Sequence, residues 1–415
     1  MILLSHPTAN QNVRQTALAF AEAGLLNEFW TCVNWRRGSL LDRLLSITPR
    51  VRNELRRRSF PAELSPFIRT QAWREWGRQL AGPLGWEQLT CGDRGFFSVD
   101  AVYHSLDRRV ARRTASSLTI KIVYAYDDGA LETFRAAKKR GIFCIYEHPI
   151  IHWRLVRQYQ EEEAELHPEW APTLTALADN KEKLARKDEE LALADLVITP
   201  STFARASIAS AKNVEAPVHV IPYGTVPGSA QSVRPCSTGK LRVLFVGVLS
   251  QAKGLGYLIE AASQLKEEVE LTLIGRRISA AIPAPSVLNK YRWIASLSHP
   301  ELLQEMCKHD VLVLPSLHEG FGLVMTEAMA QGLVVITTAH TSGPDLVTDG
   351  RDGFLVPIRS SDAIAGKLAL LHRDRDLLRA MQEAARRKAL TFSWENYRQR
   401  LVELAREVVA RQIDS

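Results

Sequence analysis

The chain has 415 residues, of which 46% are apolar and 24% charged, with a formal net charge of +7. That length exceeds what a single core usually organises, so two domains are expected. The balance excludes a disordered or fibrous chain, and no run of about 18 apolar residues signals a membrane-spanning helix.

In chain order, the first element is the apolar run Ile2–Ser5. The N-terminus, MILLSHPTANQN, lacks the basic region and long apolar stretch of a signal peptide and reads as a buried first strand. Further strands are predicted near Glu28–Val33, Thr119–Tyr124, Ile142–Tyr146, Leu196–Thr199 and Val218–Ile221. Helices are expected at Gln11–Ala23, Ala130–Lys139 and Thr202–Ser210, with a long charged helical stretch from about Trp153 to Ala194. Such alternation implies a parallel sheet with helices on both faces. The segment Thr225–Gly239, rich in Pro, Gly and Ser, reads as a linker. A second α/β unit restarts at Lys240, so two Rossmann-like domains facing a cleft are expected. The tail places Trp394, Tyr397, Leu401, Leu404 and Val408 at helical spacing.

The charge is uneven. Between Arg36 and Arg78 lie 11 arginines, no lysine and four acids, a local +7 equal to the excess of the whole chain. They are interleaved with Leu40, Leu41, Leu44, Leu45, Ile47, Phe60, Phe67, Ile68, Trp73 and Trp76. Arginine mixed with leucine and tryptophan is the composition of interfacial helices, so an anionic membrane surface is expected as a partner. Ordinary first-domain helices with internally paired arginines fit the same pattern. No recognition motif for nucleic acid accompanies the charge. The five cysteines (Cys32, Cys91, Cys144, Cys236 and Cys307) are scattered without Cys-x2-Cys spacing. A disulfide framework or structural zinc is not expected, and a cytoplasmic location is.

The most informative stretch is Asp310–Leu346, DVLVLPSLHEGFGLVMTEAMAQGLVVITTAHTSGPDL. The apolar run Val311–Leu314 closed by Pro315 predicts a buried parallel strand. The loop Glu319-Gly320-Phe321-Gly322 leads into a helix expected to bury Val324, Ala328 and Met329. Gly332 ends that helix, and a second strand, Leu333–Thr337, follows. Ligands in such sheets bind at the carboxyl ends of strands, where helix amides attract anions. Glu319 and Glu327 sit beside this anion site, which suits a ligand with both a diphosphate and hydroxyl-bearing groups. A nucleotide sugar fits that description.

The Glu-x7-Glu spacing, EGFGLVMTEAMAQG and GPDLVTDGRDGFLV resemble the signature of family 4 retaining glycosyltransferases of the GT-B fold. The resemblance runs from Lys240 to about Leu371 and touches the first domain only in patches. It implies an acceptor-binding domain over 1–226, a linker at 227–239, a nucleotide-sugar domain over 240–391, and a C-terminal helix, 392–415, that crosses back to the first domain. The implied activity moves a hexose-type sugar, with retention, from a nucleotide-diphosphate sugar to a hydroxyl of a glycan, lipid-linked or small-molecule acceptor. A GT-B epimerase, a phosphorylase or a noncatalytic nucleotide-sugar-binding protein would share the fold.

The site residues follow from the same motifs. Glu319 is expected to meet sugar hydroxyls and the positive charge that develops at the anomeric carbon, and Glu327 to hold the ribose. Backbone amides of Phe321, Gly322 and Leu323, with Lys253, are expected at the diphosphate. In GVLSQAKG, Gly247 allows a close backbone approach, while Val248 stands where the family usually has Arg. Arg276, after Gly275, is expected near the nucleotide base. In the first domain, His6 and Asn10 follow the first strand, with Thr8-Ala9 in place of the family's Gly-Gly, and Tyr126 and His148 end later strands. His6, Asn10 and Tyr126 are expected on the acceptor side. His148 is expected beside donor or acceptor, and Asp128 as a helix cap. No Asp-x-Asp or His/carboxylate set has metal-ligand spacing, so neither metal nor cofactor is expected.

Overall fold

The computed structural model describes residues 1–35, 38, 42, 58–82, 84–92, 95–228, 239–279 and 282–413. The first domain is built on a parallel sheet of β1 (Ile2–Ser5), β2 (Leu26–Thr31), β3 (Ile68–Thr70), β4 (Ile122–Tyr126), β5 (Phe143–Glu147), β6 (Leu196–Thr199) and β7 (Val218–Val220). Among the described residues its order is β3-β2-β1-β4-β5-β6-β7. The second sheet holds β8 (Leu241–Val246), β9 (Val269–Ile274), β10 (Arg292–Ile294), β11 (Val311–Leu314), β12 (Val334–Thr338) and β13 (Gly353–Val356). These are ordered β10-β9-β8-β11-β12-β13, again all parallel.

Both sheets are doubly wound. The central strands β1, β4, β8 and β11 are apolar nearly throughout because helices cover both faces, as parallel sheets require. Strand order reverses between β1 and β4, and again between β8 and β11. A crevice opens at the carboxyl ends of such a pair, so the topology points to the loops after these four strands as the binding edge. This is the GT-B architecture: two Rossmann-like domains with their binding edges facing each other.

The two chain crossings between domains lie side by side. Thr225 N donates to Phe392 O at 2.7 Å, and a Cβ on Gly224 would stand 2.3 Å from Trp394 N. The last helix, Trp394–Ile413, then lies on the first domain's Gln11–Glu22. Tyr397 OH meets Thr16 Oγ1 at 2.7 Å, and Arg398 donates to Gln15 Oε1 at 2.7 Å. Trp394, Tyr397, Leu401 and Val408 are buried, while Leu404 is half-buried and Ala405 takes the core position beside it.

Several elements differ from the sequence expectation. The stretch from Trp153 is not one helix. Helix Trp153–Leu166 stops before Pro168, 3-10 turns occupy Pro168–Thr173 and Thr175–Ala178, and helix Lys181–Ala192 follows. Proline lacks the N–H a continuing helix needs, so Pro168 and Pro172 fit the break. The edge strands β3 and β10, three residues each and half-exposed or exposed, carry no alternation that sequence reading could find. Val324 is half-buried, and Met325 joins Ala328 and Met329 in the core instead. In the arginine-rich segment, Arg36, Arg37, Arg43, Arg50, Arg52, Arg56 and Arg57 lie outside the described residues, as does most of the expected linker. The described part forms β3 and helix Trp73–Ala81, where Arg58 and Arg78 both pair with Glu75, at 3.1 and 2.9 Å.

Candidate functional site

Two loops from the second sheet's switch point are stitched together. After β8, Gly247 N donates to Ile274 O at 2.9 Å, and a 3-10 turn spans Gln251–Lys253. Gly254 follows with φ 68°, where a Cβ would stand 2.0 Å from Pro315 O, so only glycine fits. Leu317 N donates to Ala252 O at 3.0 Å, which locks the post-β11 loop to the post-β8 loop. Gly247 itself is less crowded than expected. A Cβ there would meet only ordinary contacts, and the close backbone approach belongs to Gly275, whose Cβ would stand 1.7 Å from Gly247 O.

This stitching places Lys253 against Glu319, and their side chains form an ion pair with both heads partly exposed to the cleft. Glu319 is fixed from behind by its N–H, which donates to His340 O at 2.9 Å. Gly322, φ 81°, turns the chain into helix Leu323–Ala330. The amides of Phe321, Gly322 and Leu323 stand at that helix start, where the first N–H groups have no intrahelical acceptor. Phe321 is buried edge-on against Tyr223, ring centroids 5.3 Å apart. One turn into the helix, Glu327 bonds His299 Nε2 at 2.8 Å, and that carboxylate raises the imidazole above its usual pKa. His299 lies 28 residues upstream on another helix, and no local pattern marks it. Arg276 is exposed beside Gly275, and Trp293 Nε1 donates to Gly275 O at 2.9 Å.

The first domain closes on this edge. A Cβ on Gly320 would stand 2.0 Å from Pro149 O, and Ser201 Oγ donates to Gly320 O at 2.5 Å. Helix Trp153–Leu166 reaches across to the second domain. There Glu163, fully buried, accepts from Gln251 Nε2 at 2.7 Å, Tyr257 OH at 2.8 Å and Arg359 Nε at 2.8 Å.

The first-domain candidates divide. His148, at the end of β5, is 4% exposed and sits against the Glu319–Gly320 loop through Pro149 and Ile150. Its ring stacks on Tyr146, its Nδ1 stands 3.5 Å from Asp127 Oδ1, and neither ring nitrogen has an aligned hydrogen-bond partner. An unsatisfied buried polar atom costs about 1–3 kcal/mol. Asn10 is exposed at the start of helix Gln11–Glu22 with no side-chain cap bond. His6 is buried, bonded to Thr8 N at 3.0 Å and packed edge-on to Tyr126; burial lowers its pKa to about 4. Tyr126 does not present itself to an acceptor, because it is 2% exposed and its hydroxyl is committed to Thr16 Oγ1 at 3.0 Å. Asp128 does not cap the following helix. Glu190 takes Asp128 N, Ala130 N and Leu131 N at 2.9–3.1 Å, and Asp107 takes Glu132 N and Thr133 N.

Under this floor lies a buried carboxylate that sequence reading left unassigned. Glu147, 1% exposed, accepts from Tyr124 OH at 2.5 Å, Tyr223 OH at 2.6 Å and Asn12 Nδ2 at 3.3 Å; burial raises its pKa. The network ties β4, β5 and helix Gln11–Glu22 to Tyr223, just before the crossing.

Comparison with known proteins agrees with this fold. Over 99% of both chains the structure superposes on a sucrose-phosphate synthase from Thermosynechococcus elongatus, with TM-score 0.69 and 19% identity. Anabaena HepE, solved with UDP-glucose, superposes with TM-score 0.61 over 98% of this chain and 99% of that one, at 16% identity. At these identities the likeness establishes the fold. In sequence, a D-inositol 3-phosphate glycosyltransferase from Corynebacterium urealyticum is 32% identical over 179 residues, 40% of this chain and 42% of that protein. The amylovoran biosynthesis glycosyltransferase AmsK of Erwinia amylovora is 30% identical over 165 residues, 36% of this chain and 40% of that one. The chain thus spans less than half the length of these two relatives. Residues 231–388 match the family described as Glycosyl transferases group 1.

Proposed function

We propose that the chain is a retaining glycosyltransferase that moves a hexose-type sugar from a nucleotide-diphosphate sugar to an acceptor hydroxyl on a glycan, a lipid-linked sugar or a small molecule. One observation carries this reading. Lys253 and Glu319 are paired in the cleft, at the carboxyl edge of the β8–β11 switch and beside the start of helix Leu323–Ala330. A cation and helix amides suit a leaving diphosphate, and a carboxylate suits the positive charge on the anomeric carbon next to it.

In this mechanism the diphosphate takes over Lys253 and the amides of Phe321, Gly322 and Leu323. Glu319, released from Lys253, turns to sugar hydroxyls and the anomeric carbon, and Glu327 holds the ribose. The bond from the anomeric carbon to the phosphate oxygen breaks as the acceptor oxygen bonds from the same face, and the acceptor proton passes to the leaving phosphate. Closure of the two edges excludes water. The names of relatives support sugar transfer, and the HepE complex supports a nucleotide sugar as donor.

Two finer readings belong with this one. Transfer runs without a metal ion, supported by Lys253 and the amides at the start of helix Leu323–Ala330, which supply positive charge where a leaving diphosphate would sit. The protein also attaches peripherally to an anionic membrane, supported by the arginine-rich segment Arg36–Arg78.

A panel of nucleotide sugars, scored by thermal shift and by donor hydrolysis, tests the central reading, because a ligand that binds only the folded state raises its melting temperature. One nucleotide sugar is expected to stabilise the protein, to be hydrolysed slowly, and to keep being turned over in excess EDTA. Absence of stabilisation by every member overturns the reading. Loss of turnover in EDTA with rescue by magnesium overturns metal independence alone.

A further inference from the structure

We propose that a cavity at the carboxyl ends of β4 and β5 is a subsite for a neutral, hydroxyl-rich sugar ring of the acceptor, and that it selects against phosphorylated sugars. This rests on the glycosyl-transfer reading above and adds the chemical class of the second substrate.

The cavity has a volume of about 90 Å³ and opens to solvent at its mouth; it is lined by Asp127, His148, His152, Trp153 and Lys187 among others. Ile150 and Val156 supply apolar wall. It adjoins the Glu319 loop, since a Cβ on Gly320 would stand 2.7 Å from Ile150 Cα. A ring seated here lies beside the place where the anomeric carbon is held.

Two buried imidazoles border it with nitrogens that lack aligned partners. Neither His148 ring nitrogen has an aligned hydrogen bond, Nδ1 standing 3.5 Å from Asp127 Oδ1, and His152, 2% exposed, has none at Nε2, which stands 3.4 Å from Asp188 Oδ1. His152 Nδ1 already accepts from Arg154 N at 3.3 Å, so Nε2 carries the proton and donates. Burial holds the His152 pKa down to about 4, leaving the ring neutral. Hydroxyls satisfy such groups, since each both donates and accepts.

The charges exclude an anion. Lys187 Nζ is claimed by Asp127 Oδ2 at 2.6 Å and Asp128 Oδ1 at 2.7 Å. Asp179 is matched by Lys183 at 2.8 Å, and Arg154 by Asp188. Asp127, Asp128 and Asp179 against Lys183 and Lys187 leave one net negative charge around the cavity, so a phosphate would meet carboxylates with no spare cation. A neutral sugar instead finds carboxylate acceptors, imidazole donors and an apolar wall for its C–H face.

The test uses the full chain saturated with the nucleotide that stabilises it. Saturation-transfer NMR is run with methyl hexopyranosides and with the matched hexose 6-phosphates, and transfer is followed by mass spectrometry. Neutral glycosides are expected to bind at least about tenfold more tightly than the phosphates. His152→Ala and Trp153→Ala are expected to raise the acceptor KM about tenfold, with a smaller change in kcat. Ala176→Phe, which fills the cavity from its wall, is expected to do the same, and stabilisation by nucleotide reports that each variant is folded. Preference for the phosphates, failure of every neutral glycoside to bind, or an unchanged acceptor KM in folded variants overturns the proposal. Failure of any nucleotide to stabilise the wild type sinks the transfer reading instead.

Discussion

The pairing of Lys253 with Glu319 makes two opposite demands on one substitution. Glu319→Ala removes the group proposed to face the anomeric carbon, and turnover is expected to fall about 10²-fold or more, the scale for one preorganised electrostatic group. It also frees Lys253 for the diphosphate, so nucleotide diphosphate should bind more tightly to the variant than to wild type. Steady-state kinetics and calorimetry read the two effects separately, and wild-type turnover in Glu319→Ala would sink the mechanism. Glu327 has its own competitor in His299. Because Glu327 raises the His299 pKa, their attraction is full below the ordinary imidazole pKa and is lost as pH rises through the raised value. In the proposed mechanism the ribose then gains Glu327, and donor affinity should rise over that window. The pair is partly exposed, so the effect is about 0.2–1 kcal/mol, at most about fivefold in Kd. His299→Ala should flatten the profile; a slope that survives assigns it to another group. The two glutamates were legible because their spacing is local, whereas His299 was not, since only the tertiary fold brings it to Glu327. Tyr126 misled for a related reason. Every position of β4 is buried, so sequence alone could not show which way its terminal ring points.

At the scale of elements, two glycines that look alike in sequence do different work. Gly254 sits at φ 68° against Pro315 O, and this contact sets the distance between the Lys253 and Glu319 loops. Gly254→Ala combines left-handed backbone strain with an overlap, and is expected to cost roughly 1–3 kcal/mol, read as a lowered urea midpoint. Gly247→Ala meets only ordinary contacts, so its midpoint should stay near wild type. Equal midpoints for both variants would remove the argument. The central strands of this sheet were readable because buried parallel strands are continuous apolar runs: β11 matches its expected bounds, and β12 is shifted by one residue. The edge strands β3 and β10 and the break at Pro168 were not readable. Their form is decided by neighbours on one side only, or by where the chain must turn toward the second domain.

At the scale of the whole molecule, charge acts on both the cleft and the outer surface. Across the cleft, Glu163 is fully buried, and its cationic partner Arg359 comes from the other domain. Arg359→Ala leaves that carboxylate buried without its cation, at a cost of about 3 kcal/mol. The closed arrangement should loosen, raising the radius of gyration in solution scattering without loss of secondary structure. On the outer surface, the described arginines of the segment have internal partners, Arg69 donating to Pro66 O and Ile68 O and Arg74 to Phe96 O. Arg58 and Arg78 are held by Glu75, but Trp73, Leu80, Leu84, Trp86 and Phe96 remain exposed. The Arg74 guanidinium lies 4.6 Å from the Trp73 ring centroid and 4.4 Å from that of Phe96. Arg108, Arg109 and Arg112 line a shallow hollow with Arg74, which extends the basic surface beyond the segment where the sequence concentrates it. Exposed tryptophan and leucine beside arginine suit the boundary between headgroups and acyl chains. Each basic group near an anionic surface contributes about 1 kcal/mol, and salt screens that attraction. The protein is therefore expected to co-sediment with phosphatidylglycerol vesicles at low salt, to be released at high salt, and to ignore neutral vesicles. At low salt, Trp73→Ser with Trp86→Ser should weaken attachment, and Arg56 and Arg57 changed to Ser should weaken it and flatten its salt dependence. Equal recovery on neutral and anionic vesicles would leave these arginines as ordinary surface charge.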